Sequence, residues 1–246
     1  MRNILVSIII ATFNSEKTLP KALNSVLNQS FESWECVIVD GVSKDGTIDI
    51  IKDYCAKDKR FRYISEADNG IYDAFNKGWK MAEGEWIYYL GSDDLLLGEA
   101  LENFVMNVDE SDVIYGNTIF EGVAGQRKIV SIEPRYLRNR MVSHQCIFMK
   151  RKCIEELGGF DVRYKICADF ALVQKAIQAG AKFSHINYYI AIFNATGVST
   201  RKYSNLFEVY KIREEMGLAS HLVNAGLFVK GFIKKFVKLN LRRLIR

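Results

Sequence analysis

The sequence predicts an α/β fold of the Rossmann-like kind, in which helices flank a mostly parallel central sheet. Apolar, β-branched runs of strand length alternate with segments whose apolar residues recur at helical spacing. The strand-like runs are apolar throughout, as in strands that helices cover on both faces. With 246 residues, 49% of them hydrophobic, the chain is long enough for one large domain or two small ones.

The first 90 residues indicate four strands separated by three helices. The strands are predicted at Val6–Phe13, Glu35–Val39, Phe61–Ser65 and Trp86–Leu90. The helices are predicted around Leu19–Leu27, at Thr47–Tyr54 and at Ile71–Ala82. Pro20 fits the first helix, because a first helical turn does not need its backbone N–H. This alternation is typical of βαβ units.

The pattern becomes less regular in the rest of the chain. The predicted elements are a helix at Glu99–Val108, strands at Val113–Gly116 and Ser143–Met149, a helix at Lys152–Leu157, a turn at 158–161, a helix at Asp169–Ala179 and a strand at Ala181–Ile192. The sequence contains no internal repeat or low-complexity linker, and no clear boundary divides residues 1–200. We therefore expect these elements to share one domain.

Composition excludes several classes of protein. The five cysteines are scattered and form no CxxC pair, so we expect reduced thiols in a cytosolic protein rather than a zinc or redox site. The apolar run near the N-terminus is too short to span a bilayer and precedes no small-residue cleavage site. We interpret it as a buried strand.

Polar and acidic residues follow each of the first four predicted strands. They are Thr12-Phe13-Asn14, Asp40-Gly41, Asp68-Asn69-Gly70 and Gly91-Ser92-Asp93-Asp94. Parallel sheets bind ligands at the carboxyl ends of their strands. Converging acids repel one another unless a cation or a ligand rich in donors lies among them. The pattern therefore predicts a functional site at this edge.

Asp93 and Asp94 are the strongest candidates for a cation site. In the alternative interpretation, Ser92 or Asp93 caps the next helix, but four residues (95–98) separate the pair from that helix. Mg²⁺ and Mn²⁺ take carboxylate oxygens and leave positions open for substrate phosphates. We therefore favour a divalent metal.

Four other residues each have two interpretations. Asp40 and Asp68 fit turns, and Asp40 also fits an acceptor for a base or ribose hydrogen. Lys77 lies on a predicted helix, where lysines are usually solvated. Asp169 is suited to cap a helix or to act as a general base facing the same cleft.

Eight segments together resemble the family-2 glycosyltransferases of the GT-A fold. They are VSIIIATFNSEKTL, LNSVLNQSF, ECVIVDGVSKDGT, EADNGIYDAFNKG, LGSDDLL, HQCIFMK, LGGFDVRYKICADF and GVS. They occur in the family's order and cover residues 4–200, and the most specific pair is DNGIYDAFNKG with SDD downstream. Within the family, the chain looks closest to short bacterial enzymes that build O-antigen and other surface polysaccharides.

The resemblance implies a role for each matching residue. It implies nucleotide-sugar contacts for Thr12, Phe13, Asn14, Glu16, Asp40, Asp68, Lys77, Ser92 and Asp93. Asp94, with Asp93, would bind Mn²⁺ or Mg²⁺, and Asp169 would be the catalytic base. His144 and Gln145 match a position on the acceptor side. Asp40 matches the aspartate that recognises uracil, which implies a UDP-sugar as donor.

Three positions depart from the family pattern. Ala11 replaces the usual proline after the first strand, which we interpret as harmless. Ala168 replaces the frequent acid before the base, so the resemblance implies the base itself but not a pair of carboxylates there. Some relatives use a late histidine as a metal ligand, but the segment 192–198 offers Asn194 and no histidine. We therefore expect no histidine ligand.

The implied activity is an inverting, metal-dependent transfer of a sugar to a glycan hydroxyl. The metal and Lys77 would offset charge on the leaving diphosphate while Asp169 accepts the proton of the acceptor. The expected acceptor is a glycan linked to polyprenyl diphosphate. The expected domain covers 1–200, with a nucleotide-binding half (1–116) and an acceptor-binding half (117–200), followed by a basic helical tail (201–246).

Other functions fit the sequence less well. A nucleotidyltransferase or an NAD-binding protein needs a glycine-rich loop near the N-terminus, and ATFNSEKTL contains no glycine. A polyprenyl-phosphate glycosyltransferase and a non-catalytic module that binds nucleotide sugars or membranes stay open as alternatives. The presence of Asp169 favours an enzyme over the module.

The C-terminal segment combines cations with apolar residues at helical spacing. From His221 onward it carries seven Lys or Arg and no acid. The cations at Lys230, Lys234, Lys238 and Arg242 recur every fourth residue, and the opposite face carries Leu222, Val229, Phe232, Ile233 and Phe236. The helix either packs on the domain or lies on an anionic membrane. We favour the membrane over residues 221–246, at the cytoplasmic face of a bacterial cell membrane, and expect no nucleic-acid partner.

Overall fold

In a computed structural model, the described residues are 6–122, 125–138, 140–195 and 203–244, with side chains described through 237. They form the strands β1 (Val6–Thr12), β2 (Trp34–Asp40), β3 (Phe61–Ser65), β4 (Trp86–Gly91), β5 (Leu95–Leu96), β6 (Val113–Glu121), β7 (Arg127–Val130), β8 (Ile147–Lys150) and β9 (Phe183–Asn194). The helices are α1 (Leu19–Leu27), α2 (Thr47–Lys57), α3 (Ile71–Met81), α4 (Ala100–Met106), α5 (Arg151–Leu157), α6 (Ala168–Gln178), α7 (Ser204–Glu215) and α8 (His221–Leu244).

The strands form one sheet in the order β3-β2-β1-β4-β8-β6-β9-β5, with β7 paired to β6. The first four strands are parallel, β8 runs antiparallel to both β4 and β6, and β6 is again parallel to β9. Thr12 pairs with Asp40 and Ala11 with Gly91. The predicted strand ends are therefore neighbours at one edge of the sheet.

The core lies between the sheet and its helices. Every residue of β1, β2 and β4 is buried, which explains why their sequences are apolar almost throughout. Gly78 lets α3 approach β1 closely, because a Cβ there would lie 2.3 Å from Ile9 Cγ2. This close packing positions the loop before α3 beside the carboxyl end of β1.

The predicted α/β fold with a mostly parallel sheet and a C-terminal helix is confirmed, with one correction near the site. Residues His144–Cys146, predicted as the start of a strand, form a 3₁₀ turn, and β8 begins only at Ile147. The prediction failed because Gln145 turns inward to bond a carboxylate, an interaction that the apolar pattern does not reveal. The short strands β5 and β7 were not predicted, and the predicted helical tail (201–246) contains two helices, α7 and α8.

The two C-terminal helices pack on each other and on the domain. The ring of Phe207 on α7 lies 5.0 Å from that of Phe228 on α8. Glu208 on α7 accepts backbone N–H bonds from Lys165, Ile166 and Cys167, directly before α6. No helix among the described residues is both long and apolar enough to span a bilayer. The division of the chain at residue 200 stays a prediction.

Candidate active site

A cavity of about 610 Å³ lies at the carboxyl ends of β1 and β4. Loops after these strands form its walls, together with the 144–146 turn and the end of β9. Seven of the predicted site residues line it, namely Asn14, Glu16, Ser92, Asp93, Asp94, His144 and Gln145. Within the described chain, its lining does not include Thr12, Phe13, Asp40, Asp68, Lys77 or Asp169.

Asp94 is buried where three distant segments meet. The residue is only 1% exposed. Its Oδ1 accepts the backbone N–H of Asn194 at 2.8 Å, and its Oδ2 accepts Gln145 Nε2 at 2.7 Å. Burial and the neighbouring Asp93 carboxylate raise the pKa of Asp94 to about 6. The geometry therefore holds the group firmly in place but disfavours its negative charge.

Asp93 reaches the cavity beside Asp94. Its Oδ2 accepts the side-chain amide of Asn194 at 3.2 Å, and partial desolvation raises its pKa as well. A Cβ at Gly91 would lie 2.4 Å from Asp94 Oδ2 and 3.3 Å from Asp93 Oδ1. Only glycine therefore lets both carboxylates converge over the strand end.

A divalent cation fits this pair of carboxylates when substrate supplies further ligands. No three His, Cys, Asp or Glu side chains within the described ranges lie close enough to hold a metal by themselves. Mg²⁺ commonly uses one or two carboxylates, substrate phosphates and water. Asp93 and Asp94 fit that donor set, and a cation would offset the desolvation that raises the pKa of both carboxylates and the charge of Asp93 that further raises the pKa of Asp94.

Asp169 lies in the first turn of α6 and is 5% exposed. Its Oδ1 accepts the Tyr72 hydroxyl at 3.2 Å and the Phe170 backbone N–H at 2.8 Å. Its Oδ2 lies 3.1 Å from His144 Nδ1. Asp169 thus contacts a residue that lines the cavity, although it is not itself part of the lining.

The loop after β1 is fixed by contacts with the loop before α2. The backbone N–H of Asn14 donates to the Ser43 hydroxyl, and the Asn14 side chain accepts the N–H of Lys44, both at 2.8 Å. Glu16 accepts the Gly46 N–H at 2.9 Å. Asn14 has φ of 49° in the left-handed region, which asparagine tolerates better than most residues. Asn14 and Glu16 therefore serve as structural contacts as well as cavity wall.

Asp40 is fully buried at the end of β2, outside the cavity lining. Its carboxylate accepts the hydroxyls of Ser43 and Ser65, the latter at 2.6 Å, and the backbone N–H of Ser43. Val42, close by, has φ of 64°, an unusual value for a β-branched residue. Strained backbone of this kind clusters at functional sites. The role of Asp40 in uracil recognition stays a prediction.

Phe13 and Asp68 meet above Gly41. A Cβ at Gly41 would lie 2.6 Å from Asp68 Oδ2 and 3.4 Å from the Phe13 ring. Phe13 is 60% exposed, so its ring face is available to a ligand. Lys77 instead donates to the Ala67 carbonyl at 2.6 Å and pairs with Glu66 at 3.0 Å. Contact of Lys77 with a diphosphate stays a prediction.

The sequence interpretation missed two contributors. Asp45 lines the cavity and accepts the Thr47 hydroxyl at 2.6 Å, which lowers the pKa of Asp45. The order Asp-Gly-Thr before a helix is typical of an Asx-turn, in which Asp45 also accepts the Thr47 backbone N–H, and it was available in the sequence. Tyr72 lies in the predicted helix Ile71–Ala82, and no local pattern reveals its contact with Asp169, 97 positions away.

A family model, glycosyl transferase family 2, matches residues 7–158. A PGL/p-HBAD biosynthesis glycosyltransferase of Mycobacterium bovis is 33% identical over 171 residues, which are 68% of this chain and 67% of the relative. An uncharacterised glycosyltransferase of Haemophilus influenzae is 28% identical over 94% of this chain and 97% of its own length. The family match includes the loops after β1 and β4 and the His144–Cys146 turn, and it ends before Asp169 and β9.

Solved structures show the same fold. S. aureus TarS 1-349 in complex with UDP-GlcNAc superposes with a TM-score of 0.71, at 22% identity, over 86% of this chain and 65% of that one. The mannosyltransferase PcManGT of Pyrobaculum calidifontis, in complex with GDP-Man and Mn²⁺, gives 0.69 at 18% identity over 85% and 63%. The chain thus spans less than two thirds of either protein.

Proposed function

The chain belongs to glycosyl transferase family 2, and from this premise we propose an inverting, metal-dependent transfer from a UDP-sugar to a glycan hydroxyl. The predicted family and enzyme class are confirmed. One observation carries the finer proposal, which is that Asp94 and Asp169 contact adjacent residues of one turn. The proposed diphosphate and metal centre at Asp94 and the proposed base Asp169 therefore lie beside the same turn.

The donor would occupy the cavity between the loops after β1 and β4. Phe13 and Asp68 would flank the nucleoside, and Asp40 would accept the uracil N–H once the serine hydroxyls rotate away. Asp93 and Asp94 would hold Mg²⁺ or Mn²⁺, which offsets charge on the leaving diphosphate when it is bound. The complexes of two similar folds with UDP-GlcNAc and with GDP-Man and Mn²⁺ support a nucleotide-sugar donor and a divalent metal.

Asp169 would provide the base for a single displacement. The acceptor O–H bond breaks and its proton goes to the Asp169 carboxylate, while the oxygen bonds to the anomeric carbon. The bond from that carbon to the diphosphate oxygen breaks, and the nucleoside diphosphate leaves with the electron pair. One displacement inverts the anomeric centre.

A panel of sugar nucleotides tests the activity, with a synthetic polyprenyl-diphosphate glycan as acceptor and released nucleotide as the readout. Asp169→Asn should keep UDP and Mn²⁺ binding and lose transfer by a factor of about 10³ or more. Asp161→Asn is the matched control, because Asp161 lies in the preceding loop and pairs with Arg163. Normal turnover by Asp169→Asn would remove Asp169 as the base.

The proposal also places the protein on an anionic membrane through residues 221–246, at the cytoplasmic face, beside a lipid-linked acceptor. One side of α8 packs on α7 and on the residue before it, Tyr203, whose ring centroid lies 4.9 Å from that of Phe232. Leu222, Val229 and Ile233 are 84%, 54% and 57% exposed. Exposed apolar side chains beside lysines favour an interfacial helix. The side chains of Lys238 and Arg242 lie outside the described residues.

Vesicle sedimentation tests this attachment. A chain ending at residue 218 keeps α7 and its contacts with the domain, and it should no longer pellet with phosphatidylglycerol vesicles. Ile233→Asp should weaken pelleting, whereas Ile129→Asp should not, although both isoleucines are 57% exposed. Retained pelleting of the shortened chain would show that the tail is not the anchor.

A further inference from the structure

The 3₁₀ turn His144–Cys146 contacts both carboxylate centres through two consecutive side chains. His144 Nδ1 lies 3.1 Å from Asp169 Oδ2, and Gln145 Nε2 donates to Asp94 Oδ2 at 2.7 Å. We infer that His144 and Gln145 are positioning residues that together set the distance between the base and the metal-binding carboxylate. This inference rests on the proposed function and assigns these two residues to alignment rather than to acceptor binding.

The hydrogen bonds of Asp169 leave Oδ2 the more open oxygen for a proton. A carboxylate oxygen offers two acceptor positions. Oδ1 accepts the backbone N–H of Phe170 and faces the Tyr72 hydroxyl, whose single proton is shared with the Ile166 carbonyl at 2.7 Å, while Oδ2 accepts only from His144 among the described residues. By occupying one acceptor position of Oδ2, His144 therefore determines the direction from which the acceptor hydroxyl can reach that oxygen.

His144 is itself held in one orientation. An ionised Asp169 requires that Nδ1 carry the proton, which fixes the tautomer of a neutral imidazole. Nε2 is buried and has no hydrogen-bond partner within the described part of the chain. The Phe75 ring packs against the imidazole in an edge-on contact, with centroids 5.5 Å apart. These contacts make His144 a fixed donor to Asp169.

Gln145 is held as firmly on the other side of the turn. The residue is 2% exposed, and its Oε1 accepts the Ser143 hydroxyl. Its backbone carbonyl accepts the hydroxyl of Tyr88, a buried residue of β4, at 2.7 Å. Asp94 lies in the turn after β4, three residues beyond the last residue of that strand. The turn is therefore joined to the strand that carries the metal-binding carboxylates.

Alignment of this kind matters for a single displacement. The attacking oxygen, the anomeric carbon and the leaving oxygen must lie nearly in line, and an error of about 1 Å can cost about 100-fold in rate. The donor is placed by Asp94 and the acceptor proton by Asp169. Because consecutive residues hold these two groups, a shift of the turn would move one relative to the other.

Histidine tautomers test the first contact without any substrate. The chain has three histidines, and His185→Ala and His221→Ala assign the other two signals in ¹⁵N imidazole spectra. The His144 ring should be the Nδ1–H tautomer in the wild type and should lose that preference in Asp169→Ala. An Nε2–H tautomer in the wild type would overturn the inference, even if no sugar nucleotide binds and the proposed function fails.

Kinetics and binding test the division of labour. His144→Ala should lower kcat about 10- to 100-fold with an unchanged Kd for UDP in Mn²⁺, and His144→Asn, which replaces the Nδ1 donor, should recover most of the loss. Gln145→Ala should instead weaken Mn²⁺-dependent UDP binding about 10- to 100-fold. His185→Ala and Gln174→Ala are matched controls, since these residues bond Asn117 and the Leu137 carbonyl away from the turn.

Two results would overturn the positioning role. Rescue of His144→Ala by free imidazole would make His144 the proton acceptor itself. Equal losses of UDP affinity in both variants, with kcat unchanged, would show that the turn serves donor binding alone. Melting temperatures close to that of the wild type exclude a general loss of folding as the cause of either effect.

Discussion

Asp40 and Asp94 are both buried aspartates at the carboxyl edge of the sheet, but they are held in different ways. The side-chain hydroxyls that bond Asp40 belong to Ser43 and Ser65, within the same βαβ unit. Asp94 is held by Gln145 and Asn194, which are 51 and 100 positions away. A local set of hydroxyls can adapt to a ligand, whereas the Asp94 centre exists only when three distant segments have assembled.

The largest expected effect is on the Asp94 centre. Asp94→Ala removes a proposed metal ligand and leaves the Gln145 amide and the Asn194 N–H without their acceptor. Loss of residues that merely orient metal ligands costs about 10- to 100-fold in metal affinity, so we expect at least about 100-fold here. Calorimetric titration of UDP with and without Mn²⁺ measures it. The exposed-site variant Asp109→Ala is the control, and undiminished metal-dependent binding would refute the assignment.

The next effect is on stability and has a defined pH range. Burial and Asp93 raise the pKa of Asp94 from 3.8 to about 6, so the folded state favours the protonated form. The stabilisation is complete below pH 3.8 and is lost as the pH rises through about 6. At pH 7 without metal, Asp94→Asn removes a charge penalty of at most about 3 kcal/mol and loses one of the two N–H bonds that the carboxylate accepts, about 1 kcal/mol, so it should raise the free energy of unfolding by at most about 2 kcal/mol.

Urea unfolding of wild type and Asp94→Asn between pH 4 and pH 7 measures this difference. The two proteins should have similar stability at the acidic end and diverge toward neutral pH. UDP with Mn²⁺ should close the gap by stabilising the wild type alone, because only the carboxylate would hold the metal. A constant difference at every pH would show that Asp94 is not the titrating group.

The same contrast explains how much the sequence predicts. The strands and helices before residue 92, and the acids at the strand ends, are encoded by local apolar runs and turn residues, so the ends of these elements were predicted to within three residues. The His144–Cys146 turn was misassigned because SHQCIFM has the composition of a strand, and only the contact between Gln145 and Asp94 shows otherwise. Helix α7 lies within the predicted helical tail (201–246) but was not distinguished from α8, because its side chains are mostly partly exposed and lack a clear apolar face.

The smallest expected effect is that of Asp40→Asn. It should lower the free energy of unfolding, whereas Asp94→Asn should raise it. Asp40→Asn keeps one acceptor oxygen, but its amide nitrogen cannot accept the Ser43 backbone N–H that the carboxylate now shares between both oxygens. The serine hydroxyls can rotate and accept from the new amide, so only about 1 kcal/mol of stability should be lost. Urea unfolding at pH 7 without metal measures this loss, beside the gain expected for Asp94→Asn. If both variants change the free energy of unfolding in the same direction, the two carboxylates are stabilised alike. The large sequence separation between Asp94 and its partners would then have no energetic consequence.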